Sequence, residues 1–189
     1  AGMLLYPAQV AEVLAPIAEY PEIQFSLKMR LGWENASECM VLVELLNAIR
    51  LSRIALHART GKQQYKGHPD LEAFQGFYEL CQHPLYYNGG IESLSDIRQI
   101  LIRFPLLKGV FIGRGLLSSP LLAKEFKGNE TFLPEQRMSI YFAFHEELFS
   151  AYSQVLQGET QLLVKMKTLW EYFLPETDRK LLKRIKKST

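Results

Sequence analysis

Two short glycine-containing segments carry residue types that could bind a phosphate group. Asn88, Gly89 and Gly90 follow one apolar segment, and Gly113 and Arg114 follow the next. Backbone N–H groups at a glycine turn before a helix can approach an anion closely, and an arginine can bind phosphate through two parallel hydrogen bonds. The alternatives are a turn that needs only a positive φ and an arginine paired with an acid. In a barrel of βα units, the loops after the last two strands are the usual phosphate site, so we predict a phosphate-bearing ligand.

The elements that must position these loops form a repeating pattern. Each of four short apolar segments reads as a strand that is followed by a helix, which implies parallel strands joined by helical crossovers. Asp70 and Ser119 are predicted to cap two of the helices. The predicted strands span residues 24–32, 53–60, 85–91 and 109–115. The predicted helices among them span residues 8–19, 34–50, 70–81 and 93–104.

The C-terminal part of the chain has a different character. Composition changes near Gly128, and after Pro134 the pattern is helical and rich in aromatic residues. We therefore predict an α/β domain over residues 1–128, equivalent to half of a TIM-type barrel, and a small all-α domain over residues 129–189. Its predicted helices span residues 134–157, 160–173 and 176–187. The basic residues that crowd the last helix are Arg179, Lys180, Lys183, Arg184, Lys186 and Lys187.

Composition narrows the class of protein. With 48% hydrophobic and 22% charged residues, the chain has the balance of an ordinary globular protein, and its net charge of +2 does not by itself require a nucleic-acid partner. Cys39 and Cys81 have no metal-type spacing, so we predict no metal site and a reduced, cytoplasmic setting. No apolar run reaches the roughly 18 residues of a membrane span.

Four motifs, in order, resemble those of the tRNA-dihydrouridine synthases. They are Lys28-Met-Arg30, His57-Ala-Arg59-Thr60, Asn88-Gly89-Gly90 and Gly113-Arg114-Gly115. Their order is similar to the second half of that family's flavin-binding barrel, and the helical tail resembles its RNA-binding domain. The resemblance covers nearly all of the chain. It implies FMN as cofactor, NADPH as electron donor, tRNA as partner, and reduction of tRNA uridine to 5,6-dihydrouridine.

The resemblance also implies roles for individual residues. It places Lys28 near the flavin and His57 against FMN, while the alternatives are an ammonium that extends to the barrel mouth and a neutral core histidine. Arg59 could contact cofactor or RNA phosphate, or form a surface salt bridge. The implied cofactor-binding residues are Lys28, His57, Asn88, Gly89, Gly90, Gly113 and Arg114. The implied RNA-binding residues are Arg59, Arg179, Lys180, Lys183, Arg184, Lys186 and Lys187. For the basic residues of the last helix, the alternative is a solvated helix face.

One family feature is absent from the sequence. The family's proton-donating cysteine lies in an Asn-x-Gly-Cys-Pro loop, and neither Cys39 nor Cys81 occurs in such a motif. We therefore expect the chain to be the C-terminal portion of such an enzyme and to be inactive alone. Its open sheet edges predict either self-association or an opened and rearranged sheet. The alternatives are a non-catalytic tRNA-binding module and another flavin-binding or phosphate-binding barrel, such as a dihydroorotate dehydrogenase-like oxidoreductase.

Overall fold

The computed structural model describes residues 1–188 and contains two compact units. The first comprises residues 1–91 and 95–112, and the second comprises residues 92–94 and the chain from Gly113 onward. The predicted functional division after residue 128 is a separate matter and stays a prediction. Within residues 1–188, no helix is both long and apolar enough to cross a membrane.

A parallel sheet of four strands forms the centre of the first unit. The strands are β1 (Ser26–Gly32), β2 (Arg53–Thr60), β3 (Leu85–Asn88) and β4 (Gly109–Phe111). They pair in the order β1-β2-β3-β4, and every pair is parallel. Sequential strands are neighbours, as they are in a βα barrel. The predicted fold class, half of an α/β barrel followed by a helical segment, is confirmed.

Four helices alternate with these strands. They are α1 (Pro7–Leu14), α2 (Val43–Asn47), α3 (Leu71–Leu80) and α4 (Leu94–Arg103). The predicted cap at Asp70 is confirmed, because its carboxylate accepts a 2.9 Å hydrogen bond from the backbone N–H of Ala73. Leu31, Leu56 and other apolar side chains fill the core. The apolar residues with no exposed surface include Leu31, Ile54, Leu56, Phe74 and Ile97.

The helix predicted over residues 34–50 is shorter in the structure, and its first part is a 3-10 helix. Glu38–Leu42 form a 3-10 turn, and only Val43–Asn47 are α-helical. The Glu38 carboxylate accepts the backbone N–H groups of three residues that precede it. These hydrogen bonds come from Trp33 at 2.7 Å, Glu34 at 3.1 Å and Asn35 at 2.8 Å. They hold the chain before Glu38 in a turn, so the helix begins later than the periodic pattern indicated.

The second unit is helical. Its elements are α5 (Arg114–Ser118), α6 (Leu122–Gly128), α7 (Pro134–Val155), α8 (Glu159–Leu169) and α9 (Arg179–Lys187). Its core contains Leu121, Tyr141, Met166, Leu169 and Phe173. The last helix begins later than predicted because the Asp178 carboxylate accepts the N–H groups of Lys180 and Leu181 and so caps it at that point.

Two boundaries near the start of this unit also differ from prediction. The fourth strand ends at Phe111, and a short helix begins at Arg114 where the sequence predicted a loop. The predicted cap at Ser119 is wrong, since α6 begins at Leu122. The Ser119 hydroxyl instead shares a 2.7 Å hydrogen bond with the Tyr141 hydroxyl, so tertiary packing uses the group that was expected to cap.

Candidate functional site

A row of side chains crosses the C-terminal ends of the four strands. The parallel register aligns Arg30 with His57, His57 with Asn88, and Asn88 with Phe111. Residues paired in register point to the same side of a sheet, so these four form one strand-end row. Lys28 lies on the same face, two register pairs earlier, opposite Ala55. The structure therefore brings together three predicted site residues, Lys28, His57 and Asn88, from three strands.

Asn88 and the glycines after it form a well-defined turn. The Asn88 side-chain amide donates a 2.8 Å hydrogen bond to the carbonyl of Phe111, which joins the ends of β3 and β4. Gly89 has φ +136° and Gly90 has φ +59°, and a Cβ at Gly90 would lie 2.9 Å from Cγ of Pro69. The backbone conformation of the turn therefore requires glycine even without a ligand, which agrees with the alternative that the turn needs only a positive φ. An anion could still approach its backbone N–H groups.

His57 packs directly against this turn. Its side chain is only 7% exposed, and its Cδ2 would lie 3.2 Å from a Cβ placed on Gly89. The ring centroid is 6.3 Å from that of Tyr65, which comes from the loop after β2. An imidazole offers one hydrogen-bonding nitrogen on each side. A buried imidazole beside a glycine turn is therefore well placed to orient a ligand there.

Two guanidinium groups secure the loop that follows β2. Arg30 donates a 2.6 Å hydrogen bond to the carbonyl of Thr60, and its guanidinium lies 5.8 Å from the centroid of the Tyr65 ring. Arg59 is 5% exposed and donates a 2.7 Å hydrogen bond to the carbonyl of Lys66. A surface salt bridge does not fit so buried a side chain. The RNA contact assigned to Arg59 stays a prediction.

Lys28 is the exposed cation of this face. Desolvation by the surrounding sheet and repulsion from Arg30 lower the pKa of its ammonium group. An anion bound nearby would offset the repulsion and favour the charged form. This position therefore suits a negatively charged partner, and the role of Lys28 beside a flavin stays a prediction.

Gly113 and Arg114 belong to the second unit, whereas Asn88, Gly89 and Gly90 belong to the first. Gly113 precedes the first residue of α5, and a Cβ at this position would meet no atom within 4 Å. Packing therefore gives no reason for a glycine at this position. Space beside the backbone is what close approach of a ligand would need.

Helix α9 carries the predicted RNA-binding cations of the second unit. Its apolar residues Leu182 and Ile185 are half-buried, while every basic side chain of the helix is exposed. In the described part of the chain, no carboxylate lies within ion-pair distance of these basic groups. The exposed basic residues are Arg179, Lys180, Lys183, Arg184, Lys186 and Lys187.

The two cysteines lack the features of a catalytic acid. Cys39 is fully buried, and burial raises the pKa of its thiol to about 12. Burial also raises the pKa of Cys81, which lies at the end of α3. A thiol with a strongly raised pKa is a poor proton donor near neutral pH. Within residues 1–188, no group of three or more His, Cys, Asp or Glu side chains could hold a metal ion.

Sequence reasoning assigned no role to two residues of this region, Arg30 and Tyr65. Arg30 follows Lys28 by two positions, so strand alternation alone could have placed both on the same face. Tyr65 lies in a loop, where no periodic signal exists. Its proximity to Arg30 and His57 depends on the fold of the loop that follows β2.

Comparison with known proteins assigns these features to a family. The family model described as dihydrouridine synthase matches residues 1–187. The chain belongs to the dihydrouridine synthase family. The match includes both the sheet and the helical segment. It favours this family over the dihydroorotate dehydrogenase-like alternative.

Individual dihydrouridine synthases are similar over shorter stretches. A probable tRNA-dihydrouridine synthase of Aquifex aeolicus is 34% identical over 128 residues, which are 66% of this chain and 40% of that protein. One from Rhizobium leguminosarum is 35% identical over 100 residues, 52% of this chain and 31% of that protein. The tRNA-dihydrouridine synthase B of Vibrio vulnificus is 25% identical over 138 residues, 71% of this chain and 42% of that protein. The aligned regions thus span less than half of each relative.

Proposed function

We propose that this chain contributes part of the flavin site and part of the tRNA-binding surface of a tRNA-dihydrouridine synthase. The observation that carries the proposal is the strand-end row, in which Arg30, His57 and Asn88 align across three neighbouring strands. Membership of the dihydrouridine synthase family supports reading this row as part of a flavin site. The uridine-reducing activity is proposed for the whole enzyme.

The residues present fit FMN as the cofactor. The backbone N–H groups after Asn88 and the imidazole of His57 would hold the phosphate end, and Lys28 would lie near the ring, where positive charge favours the reduced, anionic form. The family resemblance adds Gly113 and Arg114 as phosphate-binding residues. When bound, FMN reduced by NADPH would supply the electrons for reduction of uridine.

Binding of FMN and riboflavin tests the cofactor proposal. Riboflavin lacks the phosphate, so the chain should bind FMN more tightly in a fluorescence titration. Lys28→Met should weaken the binding of FMN. Lys62→Met is the matched control, since Lys62 is an exposed cation that pairs with Glu34 on the surface. Equal affinity for both flavins, with no difference between the variants, would count against the proposal.

Binding of tRNA across a salt series tests the RNA-binding role of α9. A double variant in which both Lys183 and Arg184 are replaced by glutamine should bind tRNA more weakly. The slope of log affinity against log salt concentration should fall by roughly one unit for each RNA phosphate that the helix no longer neutralises. The control is Lys124→Gln, because Lys124 is an exposed cation of the second unit outside α9. A double variant that behaves like this control would remove α9 from the interface.

A non-catalytic tRNA-binding module is the second candidate function. The second unit has its own core and carries the exposed basic helix, so it could bind RNA without a flavin. Mass spectrometry of tRNA incubated with FMN, NADPH and this chain distinguishes the candidates. We expect no dihydrouridine from the chain alone and dihydrouridine from the whole enzyme. A whole enzyme that binds tRNA but leaves uridine unchanged would favour the module.

A further inference from the structure

The second unit contains a cavity that the flavin site and α9 do not explain. Its volume is about 480 Å³, and residues of α7, α8 and α9 line it. The aromatic rings of Phe149 and Trp170 border it, together with the imidazole of His145. Phe149 is 48% exposed, whereas the core aromatics Tyr141 and Phe173 of the same unit are almost fully buried. The cavity therefore presents aromatic surface to solvent.

One wall of this cavity has a fixed orientation. The indole N–H of Trp170 donates a 3.1 Å hydrogen bond to Nε2 of His145, and the two ring centroids lie 5.6 Å apart. Phe173 packs beneath both rings, at 5.3 Å from Trp170 and 6.2 Å from His145. Rings held in place on one side by a hydrogen bond and core packing can accept a planar group with little loss of side-chain entropy.

Charged residues of both signs border the cavity, because Glu159 and Lys167 of α8 both line it. Helix α9 contributes Ile185 to the lining, so the helix that carries the exposed cations also borders the cavity. Lys167 from α8 lines it too, and its ammonium group donates to the carbonyl of Ser188 at the end of α9. An apolar, aromatic recess beside a row of cations matches a ligand that joins a planar ring to a polyanion.

We infer that this cavity binds one unpaired nucleobase of an RNA whose phosphates lie along α9. The inference rests on the proposed tRNA substrate and adds a second contact to it. Single-stranded RNA is bound in this way elsewhere, with bases stacked on aromatic rings while cations follow the backbone. Phe149 and Trp170 would supply the stacking surface, and α9 would supply the charge.

Two aromatic residues on the same helix give a matched test. Phe142 and Phe149 are seven residues apart on α7 and are 54% and 48% exposed, but only Phe149 lines the cavity. In filter binding of tRNA to the full chain, Phe149→Ala should weaken binding about fivefold or more. Phe142→Ala should change binding less than about twofold, since it alters no stacking surface of the cavity. Because both rings are exposed, neither truncation should unfold the unit.

A fluorescence titration tests the stacking directly. A single-stranded uridine decamer should quench the emission of Trp170, and an abasic ribose-phosphate strand of equal length should not. The Trp170→Phe variant reports any quenching that comes from Trp33, the other tryptophan of the chain. Equal quenching by both strands would overturn the nucleobase site. Quenching that depends on the salt concentration but not on the presence of bases would also overturn it.

The outcomes separate this inference from the proposed function. If Phe142→Ala and Phe149→Ala bind tRNA equally while the α9 variants lose salt-dependent affinity, the nucleobase site is overturned and the proposed tRNA surface stands. If the unaltered chain binds no tRNA even at low salt, both are overturned. A selective effect of Phe149→Ala, together with base-dependent quenching, would support the nucleobase site.

Discussion

The two units hold their positive charge in opposite ways. In the first, the guanidinium groups of Arg30 and Arg59 donate to carbonyls of Thr60 and Lys66 at 2.6 and 2.7 Å, in and beside a loop at the strand ends. In the second, the cations of α9 are exposed along one helix. Charge fixed by short hydrogen bonds can position one small ligand. Exposed charge attracts a polyanion over a longer range and is screened by salt.

Arg137 of the second unit is an exception, because its charge is paired with a buried carboxylate. Its replacement has the largest effect on stability that we expect. The Glu125 side chain is only 4% exposed, and its carboxylate pairs with Arg137, which also donates to the Tyr141 hydroxyl at 3.4 Å. Arg137→Met leaves a buried carboxylate without its partner, which should cost about 3–5 kcal/mol of unfolding free energy. Urea unfolding monitored by circular dichroism measures the change.

An exposed ion pair in the same unit serves as the control for Arg137. Lys124 and Glu130 lie 3.7 Å apart, and both side chains are largely solvent-exposed. Lys124→Met should therefore cost no more than about 1 kcal/mol. If the Arg137 and Lys124 variants lose the same stability, the buried pair has no special role in holding α6 against α7.

The next largest effect concerns the rigidity of the first unit at Gly32. A Cβ at Gly32 would lie 1.9 Å from the carbonyl oxygen of Asn35, which belongs to the turn closed by the Glu38 carboxylate. Backbone must move to relieve that overlap, so Gly32→Ala should cost about 2–4 kcal/mol. Chemical denaturation gives the value. A fully tolerated Gly32→Ala would show that this turn is not rigid.

Gly76 in α3 is the matched control for Gly32. A Cβ there would meet only Met40, at an ordinary contact distance of 3.9 Å. Alanine is preferred to glycine inside a helix, so Gly76→Ala should be neutral or stabilising by up to about 1 kcal/mol. Both variants replace glycine by alanine in the same unit, but opposite changes in the unfolding free energy are expected. A general effect of the Gly→Ala replacement therefore cannot explain both results.

The fold was predictable where apolar residues repeat and unpredictable where a single side chain redirects the backbone. The four parallel strands followed from short apolar segments between helical patterns, and the sheet confirmed them. Residues 34–50 also have helical periodicity, but the hydrogen bonds to Glu38 override it locally. A pattern of apolar residues carries no information about which carboxylate will bind which backbone N–H.

The candidate site was predictable to the same extent. Lys28, His57 and Asn88 lie on one sheet face, which follows from alternation once the register is known. The burial of Arg59 did not follow, because it depends on how the loop after β2 brings the carbonyl of Lys66 to the guanidinium group. In the second unit, helical spacing could not distinguish the exposed Phe149 from buried aromatic residues.

A smaller effect involves His145 of the second unit. Its Nε2 accepts the indole N–H of Trp170, so this nitrogen carries no proton. Desolvation lowers the pKa of His145 in the folded state, although Glu146 opposes the change. The unfolded chain therefore binds the proton more readily, and stability present above the unfolded pKa is lost as the pH falls through the folded pKa.

Stability should thus fall from pH 7.5 to pH 5, with the loss of one hydrogen bond worth about 1 kcal/mol. Urea unfolding at the two pH values, in the unaltered chain and in His145→Gln, isolates the contribution of this group. Glutamine does not titrate, so the variant should lose less stability on acidification. An equal loss in both proteins would assign the pH dependence to other groups.

The smallest effect is expected at the surface of the loop that the guanidinium groups of Arg30 and Arg59 secure. Lys62 and Glu34 form an ion pair of 2.5 Å, yet both side chains are about half exposed. Exposed pairs contribute little, so Lys62→Met should change the unfolding free energy by less than about 1 kcal/mol. The backbone of this loop is already fixed by hydrogen bonds from Gly61 N–H to the Gly32 carbonyl at 2.8 Å and from Arg59 to Lys66. A larger loss would mean that a surface charge, and not the guanidinium groups of Arg30 and Arg59 with the backbone hydrogen bonds, orders the strand-end region.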